Sequence, residues 1–268
     1  DGYPPEECSE GSFSVSGSTS CTPCPAGHQC ESAASSSMSE CRLGYYSLSG
    51  VMNCTECGSG RACPFKNGSS ICDCVAGEYA VSGSTSCLVC GSGTYSSSSR
   101  STSCTTCDAG EACPYVNGTS ISVCLSGYYS LSGWTSCLKC SAGTYSPSSG
   151  SDECFVCAEG QHSTNGSSSC SWCSNGYYSG RNSESCSICS AGTIGHVPAG
   201  DNCTYCPEGT YSGAGETLCH ACNEGYYSEE GWDNCTLCPA GMYCADGYPP
   251  EECSEGSFSV SGFTSCTP

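Results

Sequence analysis

The chain has few of the residues that build an ordinary hydrophobic core. Leu, Ile, Val and Phe together number 27 of 268 residues. No apolar run approaches the roughly 20 residues needed to cross a bilayer, and no segment has sustained helical periodicity. These absences exclude a large apolar core, and such a composition is typical either of disorder or of a disulfide scaffold.

Basic residues are also scarce. Six Lys and Arg stand against 26 Asp and Glu, which gives a formal net charge of -20 and opposes binding to nucleic acid or anionic lipid. The four histidines, His28, His162, His196 and His220, recur at no common position, and no Gly-x-Ser-x-Gly motif is present. We therefore expect a protein that is not an enzyme and needs no cofactor.

Cysteine, glycine and serine are abundant instead, with 33, 35 and 55 residues. Such a density of cysteine indicates an oxidising compartment, so the expected location is extracellular, either secreted or on the cell surface. Because Asp1 begins neither a signal peptide nor a native reading frame, we expect a mature fragment or a window of a longer chain. Covalent glycans are expected at the acceptor motifs of Asn53, Asn67, Asn117, Asn165, Asn202 and Asn234.

The chain contains a long repeat. The sequence DGYPPEECSEGSFSVSGSTSCTP of residues 1–23 returns at 246–268 with a single difference, Ser18 against Phe263. We expect residues 1–245 to form one complete large repeat and residues 246–268 to begin the next, in a chain made of many such copies.

A finer repeat of Cys-x-x-Gly runs inside the large one, and we call each unit a module. An aromatic residue follows two places after most of the glycines, usually with Ser next, and in these long-loop modules a second Cys comes ten or eleven residues after the Gly. The sixteen modules begin every 15 to 17 residues, at Cys8, Cys24, Cys41, Cys57, Cys74, Cys90, Cys107, Cys124, Cys140, Cys157, Cys173, Cys189, Cys206, Cys222, Cys238 and Cys253.

Four short-loop modules carry Gly-x-x-Cys, so that their second cysteine comes early. These cysteines are Cys30, Cys63, Cys113 and Cys244. Two of the modules contain Asn-Gly between short apolar stretches, which predicts tight turns at Asn67 and Asn117.

The predicted fold class is small disulfide-rich repeats. Glycine, serine and proline are spread too evenly for helices of ordinary length, so short strands and turns are expected throughout. A single module is too small to bury a face alone. The modules should therefore stack end to end on their nearest neighbours, as an elongated solenoid-like ladder of short β-hairpins and turns with little or no helix.

Pairing inside each module is the simplest arrangement of the cysteines. Each bridge would close a loop of about 13 residues and stabilise the fold by roughly 3 kcal/mol. Cys21 with Cys30 and Cys24 with Cys41 is an alternative that leaves Cys8 without a partner, and spacing alone does not prove either. The predicted pairs are Cys8 with Cys21, Cys24 with Cys30, Cys41 with Cys54, Cys74 with Cys87, Cys90 with Cys104, Cys107 with Cys113, Cys124 with Cys137, Cys140 with Cys154, Cys157 with Cys170, Cys173 with Cys186, Cys189 with Cys203, Cys206 with Cys219, Cys222 with Cys235, Cys238 with Cys244, and Cys253 with Cys266.

One cysteine is left over. Residues 8–252 hold fifteen modules and 31 cysteines, and the surplus lies among Cys57, Cys63 and Cys72. Cys72 stands where the sister module has Ser122, which makes it the candidate odd cysteine, available for an interchain bond or as a free thiol.

Metal and redox alternatives fit the pattern less well. The eleven Cys-x-x-Cys pairs imitate a zinc-binding array, but the secretory signs and the short-loop modules argue against zinc. A thioredoxin-type motif needs a βαβ background, whereas here Cys-x-x-Cys is only the junction between modules. Acidic pairs such as Glu6 with Glu7 and Glu229 with Glu230 lack the ligand spacing of a calcium loop. We expect no metal site.

The module, Cys-x-x-Gly-x-Tyr-Ser with a following Cys-x-x-Cys, resembles the ephrin-receptor-like cysteine-rich repeat and is similar to the single-disulfide module of tumour-necrosis-factor-receptor ectodomains. CSAGTYSPSSGSDECFVC (140–157) and CPEGTYSGAGETLCHAC (206–222) show the likeness. The resemblance implies an elongated disulfide ladder in which Cys140 bonds to Cys154 and Cys206 to Cys219. The chain departs from those receptors in its cysteine grouping and in its near-identical 245-residue copies.

The leading hypothesis is a non-enzymatic structural glycoprotein that polymerises with copies of itself into an extracellular filament or surface hair, comparable to the mastigonemes of protist flagella. Near-identical long copies present one surface at a fixed interval, which suits polymer packing. The alternative is a ligand-binding or adhesive cell-surface ectodomain, which should have a unique patch that departs from the repeat.

Overall fold

A computed structural model describes residues 6–30 and 36–268. The first five residues of the 23-residue sequence that recurs at 246–268 therefore lie outside the described part. The strands form fifteen two-stranded antiparallel sheets, one in each of the first fifteen modules, and a 3₁₀ turn, Ala245–Gly247, is the single helical element among the described residues. The paired strands are Ser12–Phe13 with Thr22–Pro23, His28–Gln29 with Ser39–Glu40, Tyr45–Tyr46 with Thr55–Glu56, Arg61–Ala62 with Cys72–Asp73, Glu78–Tyr79 with Leu88–Val89, Thr94–Tyr95 with Thr105–Thr106, Glu111–Ala112 with Ser122–Val123, Tyr128–Tyr129 with Leu138–Lys139, Thr144–Tyr145 with Phe155–Val156, Gln161–His162 with Ser171–Trp172, Tyr177–Tyr178 with Ser187–Ile188, Thr193–Gly195 with Cys203–Tyr205, Thr210–Tyr211 with His220–Ala221, Tyr226–Tyr227 with Thr236–Leu237, and Met242–Tyr243 with Glu251–Glu252.

The predicted fold class is confirmed: the chain is a series of disulfide-rich β-hairpin repeats with almost no helix. Contacts divide it into two compact bodies. The N-terminal body comprises the residues up to Cys124 together with Ser130–Cys137, and the C-terminal body comprises Leu125–Tyr129 and Leu138–Pro268.

Two β-turns shape each long-loop module, and both need a residue with positive φ at the third position. In the module that begins at Cys140, the Thr144 amide donates to the Ser141 carbonyl at 3.0 Å across Gly143, which has φ 82°. All sixteen Cys-x-x-Gly glycines have φ between 72° and 86°. Glycine adopts this conformation without the steric cost that a Cβ brings, which explains why it recurs at this place.

The second turn places a positive φ between the two strands of the hairpin. In the module that begins at Cys157, the turn residue is Gly166, with φ 76°. The turn expected at Asn117 is present, with Asn117 at φ 64°. The one expected at Asn67 is also present, closed by a bond from the Gly68 amide to the Phe65 carbonyl at 2.9 Å. However, each Asn-Gly pair lies in the middle of the loop between the two paired strands of its module. It therefore forms a turn within that loop rather than a two-residue connection of a hairpin.

The buried interior is made of sulfur and very small side chains. Eighteen cysteines and four alanines are the buried apolar residues of the described part, and nine serines are the buried polar ones. Large apolar side chains such as Trp172, which is 57% exposed, and Ile188 lie at the surface. Half-cystines therefore occupy the place that aliphatic side chains take in an ordinary core.

Within each body, main-chain hydrogen bonds join successive modules. In the C-terminal body, the Gly143 amide donates to the Ser163 carbonyl at 2.9 Å, and the Gly166 amide donates to the Cys140 carbonyl at 2.8 Å. The Ser163 hydroxyl adds a bond to the Thr144 carbonyl at 2.9 Å, and the same serine bond recurs seventeen to nineteen residues apart along the chain. Because most partners are backbone atoms, the stacking tolerates variation at the other positions.

Stacking reaches further than nearest neighbours, which differs from the sequence expectation. A Cβ placed on Gly143 would lie 2.3 Å from the carbonyl oxygen of Asn182, and one on Gly192 would lie 1.9 Å from that of Gly231. In both cases the covering residue is the turn residue two modules further along the chain. Each hairpin is so short that the turn beyond its neighbour comes into contact with it.

Candidate functional site

Every module closes on itself through one disulfide. Each of the thirty cysteines that the sequence pattern paired is bonded within its own module, and Cys57 is bonded to Cys63. In the alternative, Cys21 would bond to Cys30, but Cys21 is bonded to Cys8 and Cys30 to Cys24. Cα separations of 5.5 to 6.3 Å suit such bridges.

The short-loop modules differ from the others by a single replacement that sequence analysis missed. Their early cysteine stands three places after the Gly, where long-loop modules have the buried serine, as at Ser47 and Ser146. Cys30 and Cys63 are accordingly fully buried. With the modules aligned on the Gly, this one buried position holds Ser, Cys, Ala or Gly, as at Ser47, Cys30, Ala80 and Gly195.

Cys72 is the free cysteine of the described residues, and it is exposed. It lies on a surface strand directly opposite Ala62, and in most other modules the residue at the position of Ala62 is a large aromatic one, such as Tyr46 or Tyr178. In the sister module Ser122 faces Ala112 in the same register. With only a small side chain opposite, no ring covers the Cys72 thiol.

Next to Cys72, two guanidinium groups converge on one carboxylate. Arg61 Nε lies 2.9 Å from Asp73 Oδ1, and Arg100 Nε lies 3.7 Å from the same oxygen. Arg100 is the turn residue of its module and has φ 60°, at a position where most modules have glycine. A side chain in this conformation costs about 1 to 2 kcal/mol. Sequence analysis did not single out this cluster, because Arg61 and Asp73 meet across one hairpin and Arg100 comes from the module two further along the chain.

Exposed apolar residues recur at the last position of the second strand. The Cδ1 atom of Ile188 lies 3.2 Å from the place where a Cβ on Gly215 would stand. The Cδ1 atom of Leu237 lies 3.3 Å from the corresponding place on Gly262. Tyr205 is 63% exposed at the equivalent position. In three successive modules of the N-terminal body this position is acidic, at Glu40, Glu56 and Asp73.

All six glycan acceptor candidates have exposed side chains: Asn53, Asn67, Asn117, Asn165, Asn202 and Asn234. Asn67 Oδ1 accepts a hydrogen bond from the Ser69 hydroxyl at 3.2 Å, and Asn165 Oδ1 accepts one from the Ala142 amide at 2.8 Å. Their accessibility is compatible with glycosylation.

Two groups of potential metal ligands lie close together, but each one contains a disulfide. His162 stands beside Cys173 and Cys186, and Glu78 stands beside Cys74 and Cys87. Oxidised sulfur does not supply the thiolate that binds zinc, so neither group can act as a cysteine-ligated zinc centre while its bridge is intact. The other histidines pair with local groups, His28 with the Ala26 carbonyl, His196 with Thr204 and His220 with Glu216.

The phenol of Tyr243 has a raised pKa because of a hydrogen bond. Its hydroxyl donates a hydrogen bond to the Glu251 carboxylate across the hairpin. This bond and the negative charge of Glu251 raise the pKa of Tyr243 above its ordinary value of 10.0. The bond favours the protonated phenol, so its contribution to stability is present below the ordinary pKa and is lost as the pH rises through the raised one.

The Tyr243 pKa can be measured as the difference between the tyrosinate absorbance titrations of the unmodified protein and Tyr243→Phe. We expect the difference curve to have its midpoint above pH 10, and to move back toward the ordinary pKa in a Glu251→Gln background. A midpoint at the ordinary value in the unmodified protein would contradict the hydrogen bond.

These features define a disulfide-rich repeat protein. Residues 209–247 match the family described as "Tyrosine-protein kinase ephrin type A/B receptor-like", which agrees with the resemblance of the modules. No curated protein matches the chain. Within the described residues, no helix has the length and apolar character to cross a membrane. The disulfides and the family match together indicate an extracellular location and a ligand-binding or structural role.

Proposed function

We propose that the protein is a non-enzymatic structural glycoprotein, secreted or held at the cell surface, that forms a subunit of an extracellular filament or surface hair. The observation that carries this proposal is the return of residues 1–23 at 246–268 with one difference. A chain of such copies offers the same surface at a constant interval, as a polymer requires. Glycans at the six exposed asparagines belong to the same proposal.

The way in which modules stack supports a mechanical role. Disulfides close each module, and backbone hydrogen bonds join successive modules. Stability of this kind accumulates along the chain through local interfaces. The number of modules can therefore increase without a larger core, which suits a protein that builds length.

A second candidate function is a ligand-binding or adhesive ectodomain. It is favoured by the family match at residues 209–247, because the matching family is described by a receptor. In that case a partner should bind a patch that differs from module to module. The cluster of Arg61, Asp73 and Arg100 is one such irregular patch in the N-terminal body.

Electron microscopy of the native material separates the two functions. We expect filaments whose helical reconstruction has an axial period equal to the length of fifteen modules, and antibodies to this chain should decorate them at that period. Single receptor-like particles, or an axial period with no simple relation to fifteen modules, would contradict the filament proposal.

The exposed Cys72 thiol gives the filament a possible covalent link between chains. We expect purified protein to run as a disulfide-linked dimer on a non-reducing gel and as a single chain after reduction. Cys72→Ser, which introduces the residue that the sister module has at Ser122, should remove the dimer and leave the sixteen internal bridges intact. A single-chain band before reduction would rule out the interchain bond.

A further inference from the structure

The charged residues are distributed unevenly along the chain. Residues 42–100 hold four of the six Lys and Arg residues, with three acidic residues, whereas residues 182–268 hold twelve acidic residues and no Lys or Arg. We call residues 42–100, which lie in the N-terminal body, the cationic segment because they hold most of the cations, and residues 182–268, which lie in the C-terminal body, the acidic segment. Two copies can place these opposite segments against each other.

The acidic segment contains a depression lined by aromatic and acidic side chains. Tyr205, Pro207, Glu208, Glu230 and Tyr248 line it, and its volume is about 390 Å³. Tyr205 and Tyr248 are 63% and 55% exposed, so their rings are open to a partner. Aromatic faces and carboxylates together are the groups that bind a guanidinium, the first through cation–π contact and the second through charge-assisted hydrogen bonds.

The same chain shows how such a site holds an arginine. In the N-terminal body, the guanidinium of Arg42 lies 4.1 Å from the centre of the Tyr45 ring, and its Nη2 donates to the Tyr45 hydroxyl at 2.6 Å. Glu40 lines the same cleft. The depression in the C-terminal body has tyrosines and glutamates of the same kind, and no Lys or Arg lies between residue 182 and residue 268 to fill it.

Arg100 is the cation best placed to enter this depression from another copy. Its side chain is 51% exposed, and its contact with Asp73 is the longer of the two at 3.7 Å. Arg61 is 33% exposed and is held at 2.9 Å, while Arg42 is already bound to Tyr45. The left-handed backbone at Arg100 is also a place where glycine would be less strained.

We propose that the depression formed by Tyr205, Glu208, Glu230 and Tyr248 on one copy of this chain binds the Arg100 side chain of a second copy. This contact rests on the proposed filament function and gives it a lateral interface. It joins the cationic segment of one copy to the acidic segment of its neighbour, so two copies that run in the same direction are staggered along the chain. Without the stagger, parallel copies would have their acidic segments side by side.

Sedimentation velocity of the 268-residue chain, in the Cys72→Ser background, tests the contact without the interchain disulfide. We expect self-association at 50 mM NaCl that weakens strongly at 500 mM, because added salt shortens the range of charge interactions. Arg100→Gly should weaken the association constant about tenfold, as should Glu208→Gln with Glu230→Gln. Arg100→Gly also restores the favoured turn residue, so the fold is not put at risk.

Arg181→Gln is the matched control, because it removes an exposed arginine outside the cationic segment and should leave association unchanged. A charge exchange gives the sharper test. Arg100→Glu alone and Glu208→Lys with Glu230→Lys alone should each fail to associate, while a mixture of the two proteins should associate. Failure of the mixture would overturn the pairing.

Other outcomes separate this contact from the proposed function. Association of Arg100→Gly as strong as that of the parent would overturn the contact, while the filament function would stand if microscopy shows filaments with the fifteen-module period. A parent chain that stays monomeric at every concentration, or that associates equally at both salt concentrations, would also overturn the contact. Absence of the chain from native filaments would overturn the function itself.

Discussion

Reduction of the sixteen disulfides is expected to unfold the chain in native buffer, without any denaturant. The reason is the composition of the interior, where the buried apolar residues of the described part are cysteines and alanines. Each bridge across 13 or 14 residues contributes about 3 kcal/mol, and a bridge across 6 residues contributes about 2 kcal/mol. Once these bridges are open, no aliphatic core remains to hold the hairpins together.

The measurement is the tyrosine near-ultraviolet circular dichroism and the sedimentation coefficient, before and after reduction and alkylation. The signal of ordered tyrosines should disappear and the chain should expand. Alkylation of Cys72 alone, without reduction, is the control and should change neither quantity. A reduced chain that keeps both the ordered tyrosine signal and the compact form would contradict the assignment of stability to the disulfides.

Gly192→Ala is expected to destabilise the C-terminal body by about 2 to 5 kcal/mol. The new methyl group would lie 1.9 Å from the carbonyl oxygen of Gly231, and the backbone of Gly192 has φ 84°. The left-handed conformation alone costs about 1 to 2 kcal/mol for a residue with a Cβ, and forcing the two chain segments apart adds about 1 to 3 kcal/mol. Guanidinium unfolding followed by tyrosine fluorescence measures the sum.

Gly241→Ala is a matched control for the contact. Gly241 holds the same Cys-x-x-Gly position with φ 82°, but nothing lies within 4 Å of a Cβ placed there. It should therefore show only the conformational cost of about 1 to 2 kcal/mol. Gly180→Ala, at an open position without positive φ, should be nearly neutral. Equal losses from Gly192→Ala and Gly241→Ala would show that modules two apart do not touch.

The sequence predicts the hairpin fold because its signals are local. A Cys-x-x-Gly unit sets the turn that opens the module, and the second Cys stands at a fixed distance that suits a bridge. The aromatic residue at Tyr145 lies on the first strand, where the pattern placed it, and pairs with Phe155. Each of these features depends on residues within one module.

Contacts between modules are the part that spacing does not reveal. The bond from the Ser163 hydroxyl to the Thr144 carbonyl spans two modules, and the approach of Gly143 to Asn182 spans three. The sequence predicts nearest-neighbour stacking because a single module is too small to bury a face alone. The depression at Tyr205 and Tyr248 was missed for the same reason, since its lining comes from separate hairpins.

Most Cys-x-x-Gly glycines are covered by a turn two modules further along the chain, and this gives the array a direction. For Gly143 and Gly192, the covering turns are those of Asn182 and Gly231, which lie on the carboxyl-terminal side. A module added on that side therefore brings a turn that covers a glycine already in the array, whereas a module added on the amino-terminal side brings a glycine to be covered. The two faces of a stack are thus chemically different.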